Sequence, residues 1–139
     1  MFKKILIPID FAHVEKSKAI LDQAKELADA DGSALTLLNV VLEIPPYVAL
    51  EIPTGTQEKT LTQAEFTLTR LANENGLPST TKVEIREGNP SNEILQMAEE
   101  MEADLIVVAS HQPEFADYLL GSVASKVVRH ARCSVLVLR

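Results

Sequence analysis

Little in this chain is suited to cross-linking, to a membrane or to a polyanion. Its one cysteine, Cys133, rules out an internal disulfide and fits a reducing compartment. The thiol sits at the start of an apolar run and reads as a buried small hydrophobe, not a reactive group. No apolar run approaches the roughly 20 residues that span a bilayer. The opening "MFKK" passes straight into "ILIPID" without the apolar core or cleavage site of a signal peptide. A cytoplasmic protein with no membrane partner is expected. Positive charge is scarce: 13 Lys and Arg stand against 20 Asp and Glu, a formal net charge of −7. That balance argues against sequence-independent binding of DNA or RNA, which needs a basic face to displace counterions. It also means that any anionic ligand has to be held by local groups, because the overall field repels it. The three histidines, His13, His111 and His130, are scattered without metal-ligand spacing. No nucleophile–base–orienter set is apparent, and no pair of carboxylates frames a cleft.

What is present is an ordinary globular composition, 46% hydrophobic and 24% charged over 139 residues. It reads as one domain spanning residues 1–139, long enough to bury roughly two-thirds of its unfolded surface. Five short runs rich in branched residues stand out: "KILIPI", "ALTLLNVV", "KVEIRE", "DLIVVAS" and "CSVLVL". Four are nearly continuous, as parallel strands covered on both faces are. "KVEIRE" alternates more clearly, which predicts a place near a sheet edge.

Helical patterns fill the gaps. From Glu15 to Ala30, the residues Ala19, Ile20, Ala24, Leu27 and Ala28 recur at helical spacing, with Asp31-Gly32 as the stop. From Gln57 to Asn75 a stripe of Leu61, Ala64, Leu68, Leu71 and Ala72 ends at Gly76 and Pro78. "GNPSNEILQMAEEMEA" opens with Asn89 as N-cap and Pro90 at the first helical position, and its apolar face is Ile94, Leu95, Ala98 and Met101. A last helix begins near Ser122 and is expected to turn Val123, Val127 and Val128 inward. The order βαβαβαβαβ implies an α/β sandwich, an open parallel five-stranded sheet with right-handed crossovers and helices on both faces. One irregular stretch interrupts it, Glu43 to Thr56, with three prolines and one glycine. It follows the second strand at the carboxyl edge of the sheet, where doubly wound folds bind ligands, and reads as a lid or as a plain long connection.

The polar residues of interest sit at strand ends. "IPID" closes the first strand, so Asp10 stands beside the expected switch point, able to accept from a ribose or base donor or to hold Mg²⁺ through water. Its other reading is an N-cap leading into the first helix. Asn39 and Val40 end the second strand, where a base would meet backbone groups. Ser110, His111 and Gln112 follow the fourth strand, and Gly121, Ser122, Val123 and Ala124 open the last helix. Ser122 can offer its hydroxyl and N–H to a phosphate there, while Gly121 lets the backbone approach closely, or the two form a plain turn and cap. From Gly121 onward the chain has no Asp or Glu, and Lys126, Arg129, Arg132 and Arg139 are cationic. Arg129 and Arg132 suit a helix C-terminus, the alternative being a docking patch for an acidic partner.

Three stretches carry a family resemblance: "KKILIPIDFA", "GNPSNEILQMAEEMEADLIVVAS" and "LLGSVASKVVRHARCSVLVLR". With them the chain resembles, from end to end, the universal stress protein family. "ASHQP…YLLGS" is similar to the branch of small bacterial members with Ser-x-x-Pro at the fourth-strand turn. The resemblance implies a Rossmann-like fold, akin to the adenine nucleotide α-hydrolases, with strand order 3-2-1-4-5. It also implies dimerisation through the last strand, Cys133 to Leu138, and in many members binding of ATP, with Mg²⁺ near Asp10. The residues independently favour the dimer, because an apolar terminal edge strand invites pairing with a second copy. A higher oligomer and an unidentified regulatory protein partner complete the expected partners.

ATP-binding members carry Gly-x-x-Gly-x9-Gly followed by Ser or Thr. Here Ala109 and Gln112 replace the first two glycines, Pro113 removes a backbone donor, and eight residues separate Gln112 from Gly121. Gly121, Ser122, Pro8 and Asp10 match the pattern. The Gln112 amide can donate in place of a glycine N–H, so the changes read as an alternative loop. The resemblance thus implies adenine near Val40 and Asp10, with Pro8 and Ile9 beside it, and ribose by Ala109 and Ser110. Phosphates would lie on Gly121, Ser122, Val123 and Ala124, with His111 and Ser125 as further contacts. The expected function is an ATP-binding dimeric regulator of stress response, at most a slow ATPase. The alternative is a nucleotide-free dimeric interaction module of the same fold.

Overall fold

A computed structural model describes residues 1–110 and 120–139 of the chain. Strand β1 (Lys4–Pro8) runs into a single turn of 3-10 helix at Phe11–His13 and then into α1 (Val14–Asp31). Next come β2 (Ala34–Val41), a one-turn helix α2 (Pro46–Ala49), α3 (Thr56–Glu74) and β3 (Lys82–Glu87). They are followed by α4 (Pro90–Glu100), β4 (Leu105–Ala109), α5 (Ser122–His130) and β5 (Ser134–Leu138). All strand pairs are parallel and the order is β3–β2–β1–β4–β5. The expected sheet and its order therefore hold, and "KVEIRE" is an edge strand.

The continuous apolar runs make sense because the central strands are covered on both sides. Ile5, Ile7, Leu35, Leu37 and Val107 face α1 and α3, packing on Ile20, Leu21, Ala24, Leu68 and Leu71. Leu6, Leu38, Ile106 and Val108 face α4 and α5, packing on Ile94, Met97, Ala98, Ala124 and Val127. Each fully buried leucine or isoleucine here contributes about 1.5–3 kcal/mol relative to exposure.

The helix ends follow their local chemistry. Gly32 closes α1 at φ 66°, a left-handed conformation that glycine adopts without steric cost, and its N–H reaches Ala28 O at 2.7 Å. Asn89 caps α4, its Oδ1 accepting from the N–H of Asn92 at 3.1 Å, with Pro90 in the first turn. Gly88 just before it sits at φ 143°, and a Cβ there would lie 2.9 Å from Glu93 Oε1.

Four expectations need correcting. Ala19 is exposed; the inner stripe of α1 is Ser17, Ile20, Leu21, Ala24 and Ala28, and Ala19 lies a step around the helix. Val128 is likewise 44% exposed, because Ala124 and Val127 already occupy the inward side of the short helix α5. Segment 43–56 is not wholly irregular, since α2 forms within it. Cys133 is half-buried just ahead of β5 rather than fully buried in it. Burial still pushes its thiol pKa up, so the thiolate is disfavoured. His130, three residues before, lines the same hollow.

The amino end of the sheet is tied shut by side chains. The Asp104 carboxylate accepts from the N–H groups of Lys3 and Lys4 at 2.8 and 2.9 Å. Burial pushes its pKa up, but the bonds from Lys3, Lys4 and its own N–H outweigh that and leave it lowered. Asp31 holds the N-terminal ammonium at 2.9 Å, which lowers its carboxyl, aided by the Phe2 N–H. Ser33 Oγ donates to the carbonyl of Phe2.

Candidate functional site

The switch point of the sheet lies between β1 and β4, whose following segments leave toward opposite faces. Their pairing covers only Ile5↔Leu105 and Leu6↔Ile106. By Pro8 and Ala109 the two strands are no longer laddered, and a cavity of about 260 Å³ opens at their carboxyl ends. Its floor is formed by strand ends, among them Pro8, Ile9, Leu38, Val108 and Ala109. Val123 and Ala124 enter from the start of α5, Pro90 and Ile94 from α4. On the other face α1 and the turn before it contribute His13, Lys16, Ser17 and Ile20.

Backbone geometry gives one wall its polar character. Peptide groups alternate along a strand, and those of Leu38 face β1, since Ile9 N–H donates to Leu38 O at 2.8 Å. The groups of Val40 therefore face the same way, beyond the last β1–β2 rung at Pro8↔Leu38. The buried Asn39 side chain donates from Nδ2 to Ile9 O at 2.9 Å, taking the carbonyl that the next rung would use. Among the described residues no further rung follows, so the Val40 N–H and C=O are turned towards the cavity. A donor and an acceptor side by side suit the edge of a planar heterocycle.

Asp10 stands exposed at the rim. Its Oδ1 accepts from Ala12 N–H at 2.9 Å, so it caps the 3-10 turn and lines the cavity at once. One carboxylate at the rim fits Mg²⁺, which takes one or two carboxylates, water and substrate phosphates. Among the described residues no group of three or more His, Cys, Asp and Glu could hold a metal ion by itself. At the start of α5 the cap is Gly121, not Ser122, and it makes no side-chain cap bond. Gly121 has φ −57°, a backbone conformation open to any residue. Ser122 is the exposed first helical residue, and the first intrahelical bond runs from Ser125 N–H to Gly121 O at 2.8 Å. The N–H groups of Ser122, Val123 and Ala124 thus lack helical partners, as in any first turn. Ser125 Oγ donates to Leu120 O at 3.3 Å.

Of the residues singled out from sequence, Pro8, Ile9, Asp10, Val40, Ala109, Val123 and Ala124 line this cavity. Ser110, Gly121 and Ser122 adjoin it without lining it; Ser110 N–H is held by Leu138 O at 2.9 Å. His111 and Gln112 lie outside the described residues. Sequence reading missed His13, Lys16, Ser17 and Ile20, although their spacing of three or four residues directly after Asp10 was a usable signal. It also missed the side chain of Asn39, and Leu42 from the segment after β2. Larger hollows elsewhere, about 430 and 340 Å³, are lined in part by paired charges, Lys4 with Glu102 at 3.9 Å in the first and Arg132 with Glu99 at 3.2 Å in the second.

This is the architecture of a doubly wound α/β protein with its crevice at the switch point. The model of the universal stress protein family matches residues 1–139, and the chain belongs to that family. Universal stress protein G of Escherichia coli O157:H7 is 34% identical over 146 residues, covering 100% of both chains. The solved structure of universal stress protein UspA from Lactobacillus plantarum matches with 26% identity and a TM-score of 0.78, covering 99% of this chain and 97% of that one. The same fold recurs in a universal stress protein in complex with cAMP, at 22% identity and TM-score 0.68, covering 99% and 97%. It recurs again in one from Archaeoglobus fulgidus in complex with dAMP, at 20% identity and TM-score 0.60, covering 99% and 98%. No helix among the described residues is long and apolar enough to cross a membrane.

Proposed function

We propose that the chain is an ATP-binding universal stress protein, acting in the cytoplasm as a dimeric, nucleotide-linked regulator rather than as a fast enzyme. The observation that carries this reading is the convergence on one cavity of the Val40 peptide groups, Asp10 and the first turn of α5. Adenine would pair with the Val40 backbone, ribose would lie by Ala109 and Ser110, and phosphates would meet Gly121, Ser122, Val123 and Ala124. Asp10 would hold Mg²⁺ through water. The family supports the ligand class, since relatives of the same fold have been solved with cAMP and dAMP. Hydrolysis would be slow, because no described residue of the cavity is placed as a strong base for an attacking water.

The dimer would form through β5, whose Val135, Leu136, Val137 and Leu138 are all half-exposed at an open sheet edge. A lone thiol suits a reducing cytoplasm. The test is mass spectrometry of nucleotides released from freshly purified protein, with a Mg-ATP thermal-shift titration. Near-stoichiometric ATP and a saturable rise in Tm are expected; absence of both overturns the reading. A second reading, a nucleotide-free dimeric interaction module, is favoured by Ala109 and Gln112 in place of two motif glycines and by Pro113 beside them in sequence. It predicts a dimer that ignores ATP.

A further inference from the structure

We infer that Lys16, in the first turn of α1, supplies a side-chain positive charge to the phosphates of a nucleotide in this cavity. The inference rests on the nucleotide reading above. A triphosphate brings several negative charges into a chain of net charge −7, and Asp10 adds another at the rim. The start of α5 offsets only about half a charge. The sequence that follows β4 includes Pro113, which has no N–H to offer. Mg²⁺ would offset two of the phosphate charges, and a side-chain cation suits the remainder.

Lys16 is placed to do so. It lines the cavity from the α1 side, and its Nζ reaches across to the carbonyl of Ser110 at 3.4 Å, where the chain leaves β4. An ammonium carries three donors, and this one long bond to a neutral oxygen uses one of them. No carboxylate among the described residues forms an ion pair with it, whereas Lys18 on the same helix holds Asp22 at 3.4 Å. Lys16 is thus a cation kept half-buried beside the cavity by a weak bond that a phosphate oxygen would readily replace.

The test is calorimetric titration of the full chain with adenosine and with Mg-ATP, for the wild type, Lys16→Gln and Lys16→Arg. Lys16→Gln should weaken ATP about tenfold and adenosine by less than about twofold, and Lys16→Arg should restore most of the ATP affinity. Equal losses for both ligands would make Lys16 a packing residue, and unchanged ATP binding would remove it from the site. Either result overturns the inference while leaving the nucleotide reading intact. A wild type that binds neither ligand overturns both.

Discussion

At the amino end of the sheet the peptide groups are closed off within the chain, whereas at the carboxyl end they are turned towards a cavity. Asp104, just ahead of β4, reaches Lys3 and Lys4 at the start of β1 and takes their two N–H groups. Across the sheet, Asn39 does the reverse: by occupying the Ile9 carbonyl it ends the β1–β2 ladder and leaves Val40 facing open space. One polar side chain completes the backbone's hydrogen bonding, and the other interrupts it. A sheet end that satisfies itself contributes stability, and one that does not is available to a ligand.

Breaking the carboxyl end should show the largest effect. Gly121→Val combined with Ser122→Ala should lower nucleotide affinity roughly a hundredfold or more, about 2.7 kcal/mol, with the fold retained. Titration against circular dichroism controls would check it, and unchanged affinity would sink the assignment of these residues to phosphate. The converse change, Asp104→Ala, should cost about 2 kcal/mol of stability in urea unfolding while nucleotide affinity stays as it was. Its pH dependence has a definite sign. The Asp104 pKa is lowered on folding, so its contribution is present above the unfolded value near about 4 and is lost as pH falls through the folded value. The gap between wild type and Asp104→Ala should therefore close in acid; a gap that widened would show that the carboxylate is not what closes this end.

Asn39→Ala tests the hinge of the comparison. It leaves the Ile9 carbonyl without its side-chain donor and should cost about 1–2 kcal/mol, with nucleotide affinity falling in parallel. Stability lost without any change in affinity would mean that the Val40 peptide groups are not read by the base. The smallest effect is expected from Arg132→Ala at the amino end of β5. Its pair with Glu99 at 3.2 Å is exposed on both sides and should contribute under about 0.5 kcal/mol. A loss of the proposed dimer on that change would instead make Arg132 an interface residue.

The elements themselves were legible because each signal is local. Continuous branched runs mark β1, β2 and β4 as covered on both faces, Asn89-Pro90 announces α4, and Asp31-Gly32 ends α1. Asp10 and Val40 could be placed at the cavity because a strand's last residue is necessarily at its carboxyl end. The inward sides of Ala19 and Val128 were misjudged because helical spacing admits neighbouring stripes, and only packing on the sheet selects one.

Residue order alone thus determined which segments are strands and helices, and which ends carry polar groups, since both depend on neighbours in the chain. Tertiary structure decided that Lys16 and His13 share a cavity with Ala109 and that Asn39 stops a ladder at Ile9. Those facts depend on where parallel strands leave register and on which helix lies across the gap. Contacts between residues as far apart as Lys16 and Ser110 leave no periodic mark in either segment.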